Sequence, residues 1–180
     1  MSSKRTATID ELYRVEAKAE IVGGEIVVIG AASGRHGRVA ANIYISLLAH
    51  ERRTSRGYAY PDSVGFIVDL PNRWSFSPDA AFSNQPPSEE FCDGAPRFAV
   101  EVRSPDDYMA AGDRAMAAKR ADYFVAGALV IWDVDVRGER VRVFLAASPE
   151  SPHEYGPGQI VDAEPAVPGW SMPVDAIFAR

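Results

Sequence analysis

Arg97–Arg103, with the sequence RFAVEVR, decides the fold, because this run has the composition of a central β-strand. Side chains alternate between the two faces of a strand, so Glu101 shares its face with Ala99 and Arg103. A carboxylate inside an otherwise apolar strand is costly unless it is paired or binds a metal. Glu101 is therefore a candidate metal ligand, with an ion pair between Glu101 and Arg103 as the structural alternative.

A second acidic residue precedes this strand along the chain. Pro78-Asp79 introduces a short predicted strand over 79–82, one loop before Glu101. An aspartate after a proline is often only a turn residue. Two adjacent strands would nevertheless bring Asp79 and Glu101 together, and carboxylate oxygens are the ligands that Mg²⁺ prefers. The pair predicts a site for Mg²⁺, with Mn²⁺ as the alternative ion.

Lys119 stands on a helix that we predict from Asp106 to Ala126. Most of its neighbours one turn away are residue types that pack in a core, so a lysine at this position needs an explanation. Lys119 either reaches solvent or pairs with Asp122. Alternatively it points at the two carboxylates, where it would orient water or stabilise phosphate charge. Asp113 lies on another side of the helix and is the weaker candidate.

The elements around these residues predict a single α/β (α+β) domain. Thr8–Glu11 has the form of a capping box, and Gly23-Gly24 predicts the turn of an N-terminal hairpin. Ser33-Gly34 opens a helix that reaches about Glu51. Further strands are expected over 58–69, 128–136 and 140–145. This mixed order predicts one mixed central sheet flanked by helices.

Length and composition are those of one globular domain over residues 1–180, with a core at about 10–147. Residues 148–180 are rich in proline and glycine, which predicts a surface wrap with short extended pieces. A single cysteine, Cys92, excludes an internal disulfide and a cysteine-based zinc site. The sequence carries neither a signal-peptide pattern nor an apolar run long enough for a bilayer. We therefore expect a cytoplasmic protein without a membrane partner.

The net charge of −6 argues against a protein that coats nucleic acid by charge alone. Residues 34–56 are nevertheless basic, with five arginines against one acid, Glu51. This segment is either a solvated helix face or a patch that contacts nucleic-acid phosphates. The arginines concerned are Arg35, Arg38, Arg52, Arg53 and Arg56.

Several short motifs follow one another along nearly the whole chain, from about Asp10 to Phe178. They are EIVGGE (20–25), RHGR (35–38), PDAAF (78–82), PRFAVEVRSP (96–105), the residues Asp113, Lys119, Tyr123 and Gly127, and VIWDVD (130–135). In this order and spacing they resemble the Uma2 family, also known as DUF820. That family is a branch of the PD-(D/E)XK nuclease superfamily.

The resemblance implies a restriction-endonuclease-like fold and divalent-metal cleavage of phosphodiester bonds. In its pattern Asp79 and Glu101 are the metal-binding carboxylates. The family's early glutamate matches Glu20, with Glu25 as the rival, and Glu20 is expected to be a third ligand. His36 matches the histidine that opens the family's helix, although a histidine there is equally a helix-end or core residue.

One position departs from the superfamily pattern. The usual lysine, two residues after the second acid, is replaced by Arg103. Arginine stays charged and cannot act as a base, but it can hold a phosphate or a water molecule. Uma2-like sequences commonly carry the lysine on the following helix instead, which is where Lys119 lies. The resemblance thus implies a catalytic role for Lys119 and a supporting one for Arg103.

The expected function is a Mg²⁺-dependent endonuclease that acts on nucleic acid, most simply DNA, as a homodimer. The first alternative is a catalytically weak or inactive nucleic-acid-binding or assembly protein that retains the fold. The second is a hydrolase of a small phosphorylated molecule. The sequence contains no Walker A loop, Rossmann fingerprint, nucleophile elbow or HExxH helix, which argues against those enzyme classes.

Overall fold

The computed structural model of the protein describes residues 6–180. Its helices are α1 (Ile9–Leu12), α2 (Gly34–Thr54), α3 (Ala110–Val125) and α4 (Val174–Ile177), with a 3₁₀ turn at Pro105–Tyr108. Its strands are β1 (Ala19–Val22), β2 (Glu25–Val28), β3 (Tyr58–Tyr60), β4 (Phe66–Leu70), β5 (Arg73–Phe76), β6 (Ala80–Ser83), β7 (Cys92–Asp93), β8 (Phe98–Val102), β9 (Val130–Asp135), β10 (Arg140–Leu145), β11 (Ser148–Tyr155), β12 (Ile160–Asp162) and β13 (Ser171–Pro173).

The main sheet has six strands in the order β11-β10-β9-β8-β6-β3. The strand that carries Glu101, β8, lies inside this sheet between β9 and β6. Strands β8 and β9 are parallel and the other neighbours are antiparallel, so the sheet is mixed. Helix α3 forms the crossover between the two parallel strands. The predicted α/β class with a mixed sheet is confirmed.

The N-terminal hairpin forms as the sequence predicted. Its turn residues Gly23 and Gly24 have φ angles of 58° and 78°, which glycine adopts without steric cost, and Val22 pairs with Glu25 across the turn. The capping box before it is also confirmed, because the Glu11 N–H donates to Thr8 Oγ1 at 3.2 Å and the Thr8 N–H donates to Glu11 Oε2 at 2.9 Å.

The hairpin belongs to a second sheet, which the sequence did not predict. This sheet has five strands in the order β2-β1-β5-β4-β7. Strand β1 joins β5 through the pairing of Val22 with Arg73. The two residues lie far apart in the chain, and strand periodicity says nothing about such distant partners. The second sheet matters for the site because it carries Glu20 on β1.

Two apolar clusters hold the layers together. On one face of the main sheet, Ile43 and Leu47 of α2 pack in a cluster with Trp132 of β9 and Trp170, whose ring lies 5.1 Å from that of Trp132. On the other face, Tyr123 of α3 belongs to a cluster with residues of both sheets and stacks on Phe76 at 3.8 Å. Within residues 6–180, no helix has the length and apolar character that a membrane crossing requires.

The C-terminal segment differs from the expected surface wrap. Strand β11 pairs with β10 at the edge of the main sheet, and Val167, Trp170 and Ile177 are buried in the core. The core therefore extends beyond the range 10–147 expected from composition. Strand β11 was missed because it is polar and contains two prolines, which an edge strand tolerates.

Both long helices differ slightly from their predicted bounds. Helix α2 continues to Thr54 and ends at Ser55, whose φ of 53° is left-handed. The predicted helix over 106–126 is split into the 3₁₀ turn and α3. Gly112 permits this fold-back, because a Cβ there would lie 2.2 Å from the Asp106 carbonyl oxygen. The 3₁₀ turn is thereby held beside the start of α3, where it forms one wall of a cavity.

Candidate active site

A cavity of about 950 Å³ lies between the N-terminal hairpin, the first turn of α2, the 3₁₀ turn and α3. Chain segments from both sheets and both long helices therefore meet at one place. The ionisable side chains that line it include Lys18, Glu20, His36, Asp79, Glu101 and Lys119. Five of these six were candidates from the sequence, and Lys18 was not.

Asp79 is fixed to strand β8 by its backbone and by its side chain. Its N–H donates to the Val100 carbonyl at 2.9 Å, and its Oδ2 accepts the Val102 N–H at 2.7 Å. Burial would raise the pKa of the Asp79 carboxyl, but hydrogen bonding to His36 and the charge of Lys18 outweigh it and hold the pKa below its usual range. Asp79 is therefore an ionised carboxylate beside β8.

Glu101 points to the α3 side of the sheet, opposite to Val100 and Val102. Its Oε2 accepts a hydrogen bond from Lys119 Nζ at 2.8 Å, and its Oε1 accepts one from the Tyr123 hydroxyl at 2.8 Å. Burial raises the pKa of the Glu101 carboxyl; Lys119 opposes this rise, and the charges of Asp79 and Glu20 add to it. A positive charge placed beside Glu101 would therefore favour its ionised form.

Glu20, rather than Glu25, reaches the cavity. Glu20 is 5% exposed, whereas Glu25 follows the hairpin turn and is exposed. Glu20 Oε1 accepts the Ser77 N–H at 2.8 Å, and Arg73 Nη1 donates to Glu20 Oε2 at 2.5 Å. Burial would raise the pKa of Glu20, but Lys119 and Arg73 outweigh it and the pKa is lowered.

Lys119 bridges two carboxylates from different sheets. Its Nζ lies 2.8 Å from Oε1 of Glu20 and 2.8 Å from Oε2 of Glu101. Burial would lower the pKa of Lys119, but the two carboxylates outweigh it and raise the pKa, so the side chain is an ammonium ion. The alternative pairing with Asp122 does not form, because Asp122 accepts from Arg73 Nε at 2.9 Å.

His36 lies in the first turn of α2 and contacts both β8 and Asp79. Its Nε2 is 2.9 Å from the Val102 carbonyl oxygen and 3.4 Å from Asp79 Oδ2. Burial would lower the pKa of His36, but Asp79 and the Val102 carbonyl outweigh it and raise the pKa. His36 therefore acts as a donor that fixes the end of the strand carrying Glu101.

Lys18 is a further charged residue of the site, which the sequence motifs do not indicate. Its Nζ lies 2.6 Å from Asp79 Oδ1 and 2.6 Å from Asp62 Oδ1. Burial would lower the pKa of Lys18, but Asp79 and Glu101 outweigh it and raise the pKa. One signal was available, because Lys18 is two residues before Glu20 and the period of a strand places both side chains on one face.

Arg103 and Asp113 lie outside this cluster. Arg103 donates from Nε and Nη2 to the two oxygens of Asp133 on β9, each at 2.7 Å, and from Nη2 to Asp113 at 2.8 Å. Arg103 thus pairs with Asp133 rather than with Glu101. The structure does not bring Arg103, which we expected to support the phosphate, to the carboxylates. Its guanidinium forms a charged network between β8, β9 and α3 instead.

The five arginines of the basic segment do not form one patch. Arg35 and Arg38 are exposed in the first turns of α2, at the end of the helix whose His36 lines the cavity, and Arg35 pairs with Glu139. Arg52, Arg53 and Arg56 lie at the opposite end, about 25 Å away at a helical rise of ~1.5 Å per residue. Only the first two lie at the end of the helix that borders the cavity, and neither lines it.

Most of the chain matches the model of one known protein family. The model of Uma2, described as "Putative restriction endonuclease", matches residues 8–175 of the chain. The chain belongs to the Uma2 family. No curated protein matches it. A crystal structure of a "putative nuclease belonging to DUF820" from Anabaena variabilis has a similar fold, with a TM-score of 0.74, 16% sequence identity, and coverage of 96% of this chain and 97% of that chain.

The donor set of this Uma2 site fits a hard divalent cation. Mg²⁺ is commonly bound by one or two protein carboxylates together with water molecules, and Asp79 and Glu101 supply two. Burial raises the pKa of the Glu101 carboxyl, so a cation beside it would favour its ionised, metal-binding form. Among residues 6–180, no three side chains of the types Asp, Glu, His or Cys are grouped so as to hold a metal ion. The fit to a divalent cation therefore rests on the carboxylates of Asp79 and Glu101, which contact Lys18 and Lys119 respectively.

Proposed function

We propose that this Uma2 chain is a Mg²⁺- or Mn²⁺-dependent endonuclease that hydrolyses phosphodiester bonds of DNA. The observation that carries the proposal is the convergence of Asp79 and Glu101. Ala80 of β6 and Val100 of β8 are partners in antiparallel strands. Asp79 precedes Ala80 and Glu101 follows Val100, so the two acids lie on the same side of this pair. The ammonium group of Lys119 lies 2.8 Å from Glu101. Membership of a family described as "Putative restriction endonuclease" supports the same reaction class.

In the proposed site Asp79 and Glu101 hold the metal ion, with Glu20 as a third acidic group behind Lys119. A bound Mg²⁺ or Mn²⁺ supplies a Lewis acid for the phosphate and lowers the pKa of water. Hydrolysis forms a bond between the water oxygen and phosphorus and breaks one P–O ester bond, and the leaving oxygen takes up a proton. The chain's own residues must orient these groups and balance the negative charge that develops.

Lys119 is suited to charge stabilisation rather than to general-base catalysis. Its raised pKa keeps it protonated, so it can donate hydrogen bonds to a phosphate oxygen or to the attacking water but cannot accept a proton. Tyr123 holds the other oxygen of Glu101 through a 2.8 Å hydrogen bond. His36 holds the Val102 carbonyl and lies beside Asp79, which supports a positioning role for it.

Substrate contacts are proposed for Arg35 and Arg38, which lie at the cavity end of α2. The arginines at the far end, Arg52, Arg53 and Arg56, would contact a substrate only if it followed the whole helix. A chain with one site cuts one strand at a time, so we propose a homodimer for cleavage of duplex DNA. A cytoplasmic location is part of the proposal, and the single free thiol of Cys92 is compatible with it.

The test is cleavage of labelled single- and double-stranded DNA and RNA with Mg²⁺ or Mn²⁺. Wild type is compared with Asp79→Ala and Glu101→Ala, and with Glu25→Gln as an exposed acidic control on the hairpin. Metal-dependent cutting that is lost in both alanine variants and retained in the control would support the proposal. Binding of DNA by wild type without any cleavage would instead favour a non-catalytic nucleic-acid-binding protein.

A further inference from the structure

The two oxygens of Asp79 have different partners. Oδ2 faces the protein, where it accepts the Val102 N–H at 2.7 Å and lies 3.4 Å from His36 Nε2. Oδ1 accepts from Lys18 Nζ at 2.6 Å, and within residues 6–180 Lys18 is its hydrogen-bond partner. The oxygen of Asp79 that remains for a metal ion is therefore the one that the Lys18 ammonium covers.

Lys18 also has a second partner outside the cluster. Its Nζ lies 2.6 Å from Oδ1 of Asp62, whose side chain is 43% exposed, against 6% for Asp79. Asp62 is itself held, because the same oxygen accepts the Ser63 N–H at 2.7 Å. Lys18 can thus leave Asp79 and keep an ion pair nearer to solvent, which lowers the cost of its movement.

We propose that Lys18 is an internal counter-ion that occupies the cation position at Asp79 Oδ1, and that a divalent metal binds by displacing Lys18 towards Asp62. The inference rests on the metal site proposed above and adds a residue that sets its affinity. In the absence of metal, Lys18 keeps the buried Asp79 carboxylate neutralised. When metal binds, its positive charge replaces that of the ammonium, and Lys18 remains paired with Asp62.

Lys119 is not the displaced group. It donates to two carboxylates, those of the buried Glu20 and the partly buried Glu101, at 2.8 Å each. Glu20 is held in turn by Arg73 and by the Ser77 N–H. Within residues 6–180, Lys119 therefore has no solvent-facing partner comparable to Asp62. The two lysines have separate tasks: Lys119 stays with the acidic cluster, and Lys18 exchanges with the metal.

The test measures Mn²⁺ binding to the full chain by calorimetry and by electron paramagnetic resonance of free Mn²⁺. Lys18→Met removes the charge and keeps most of the side-chain volume, so we expect Mn²⁺ to bind about tenfold more tightly or more. Lys18→Arg keeps the charge and is expected to bind no more tightly than wild type. Mn²⁺ should also raise the melting temperature of Lys18→Met by more than that of wild type.

Asp62→Asn provides a second variant that does not alter the buried cluster. With its outer partner gone, Lys18 is held by Asp79 alone, and Mn²⁺ binding should weaken about threefold or more. The inference would be overturned if folded Lys18→Met bound Mn²⁺ no more tightly than wild type. It would also be overturned if Asp62→Asn bound Mn²⁺ as tightly as wild type or more tightly, or if none of these proteins bound Mn²⁺. Asp79→Asn separates the two proposals: if it abolishes Mn²⁺ binding while Lys18→Met changes nothing, the metal site stands and the role of Lys18 fails.

Discussion

Glu20 and Glu101 share one ammonium ion, since Lys119 Nζ lies 2.8 Å from an oxygen of each. Their surroundings otherwise differ. Glu20 also has Arg73 and the Ser77 N–H as partners, whereas Glu101 faces the negative charges of Asp79 and Glu20. Burial, together with these charges, raises the pKa of Glu101 against the effect of Lys119, whereas Lys119 and Arg73 outweigh burial at Glu20 and lower its pKa. The same substitution at the two positions should have opposite effects on stability.

Glu101→Gln should be more stable than wild type at neutral pH. Because the pKa of Glu101 is raised on folding, its contribution to stability is present below the unfolded-state pKa and is lost as pH rises through the folded pKa. A neutral glutamine avoids that loss. Thermal unfolding in EDTA should show a gain for Glu101→Gln that grows with rising pH, together with loss of cleavage. A variant less stable than wild type at neutral pH would contradict the raised pKa.

Glu20→Gln should be less stable than wild type at neutral pH. The lowered pKa of Glu20 means that its contribution is present above the unfolded-state pKa and is lost as pH falls through the folded pKa. The deficit of Glu20→Gln in thermal unfolding should therefore shrink as the solution is acidified. Glu101→Gln, measured in the same series, is the matched control with the opposite sign. A deficit that does not depend on pH would point to lost packing instead.

Lys119→Met should destabilise the fold as well as abolish cleavage. Removing the ammonium leaves the buried Glu20 and the partly buried Glu101 without their shared partner, and breaking a buried ion pair costs about 3 kcal/mol or more. The measurement is the free energy of unfolding in urea. Arg35→Met is the control, because it breaks the exposed pair with Glu139 and should cost at most about 1 kcal/mol. Equal losses in the two variants would mean that Lys119 is not held as the structure describes.

The acidic half of the site could be predicted from the sequence because its signals are local. The residue types and their spacing indicate Glu101 within an apolar strand and Asp79 at the start of the neighbouring strand. For Lys18 the spacing from Glu20 is the one local signal, and it does not reveal the contact with the site, since the partners Asp62 and Asp79 come from elements whose packing against the hairpin is a long-range property. The second sheet was missed for the same reason.

Arg103 illustrates the limit of strand periodicity. Alternation places Arg103 on the same face as Glu101, which suggested an ion pair between them, and its place two residues after Glu101 in the family pattern made it a candidate for the site. Its neighbour on the parallel strand decides otherwise, because Asp133 of β9 is the register partner of Glu101 and takes both arms of the guanidinium. Registers between strands joined by a helix are not encoded locally, so the sequence alone could not reveal this pair.

Arg103→Lys restores the usual superfamily lysine, yet it should not raise the cleavage rate. The side chain at this position faces Asp133 and Asp113, not the carboxylate cluster. A lysine cannot reproduce the two parallel hydrogen bonds to Asp133, so the free energy of unfolding should fall by about 2 kcal/mol. Urea unfolding and initial cleavage rates of the folded protein measure both effects. A faster enzyme would mean that position 103 reaches the substrate after all.

Arg38 and Arg52 provide a test of where nucleic acid lies, because both are exposed arginines on helix α2 but lie at opposite ends of it. If substrate enters at the cavity, Arg38→Ala should weaken DNA binding and reduce the salt dependence of the affinity by about 0.9 per lost phosphate contact. Arg52→Ala, about 20 Å further along the axis, should change neither quantity. Fluorescence anisotropy titrations over a range of salt concentrations measure both. Equal effects of the two substitutions would instead indicate that DNA runs along the whole helix and that all five arginines contact it.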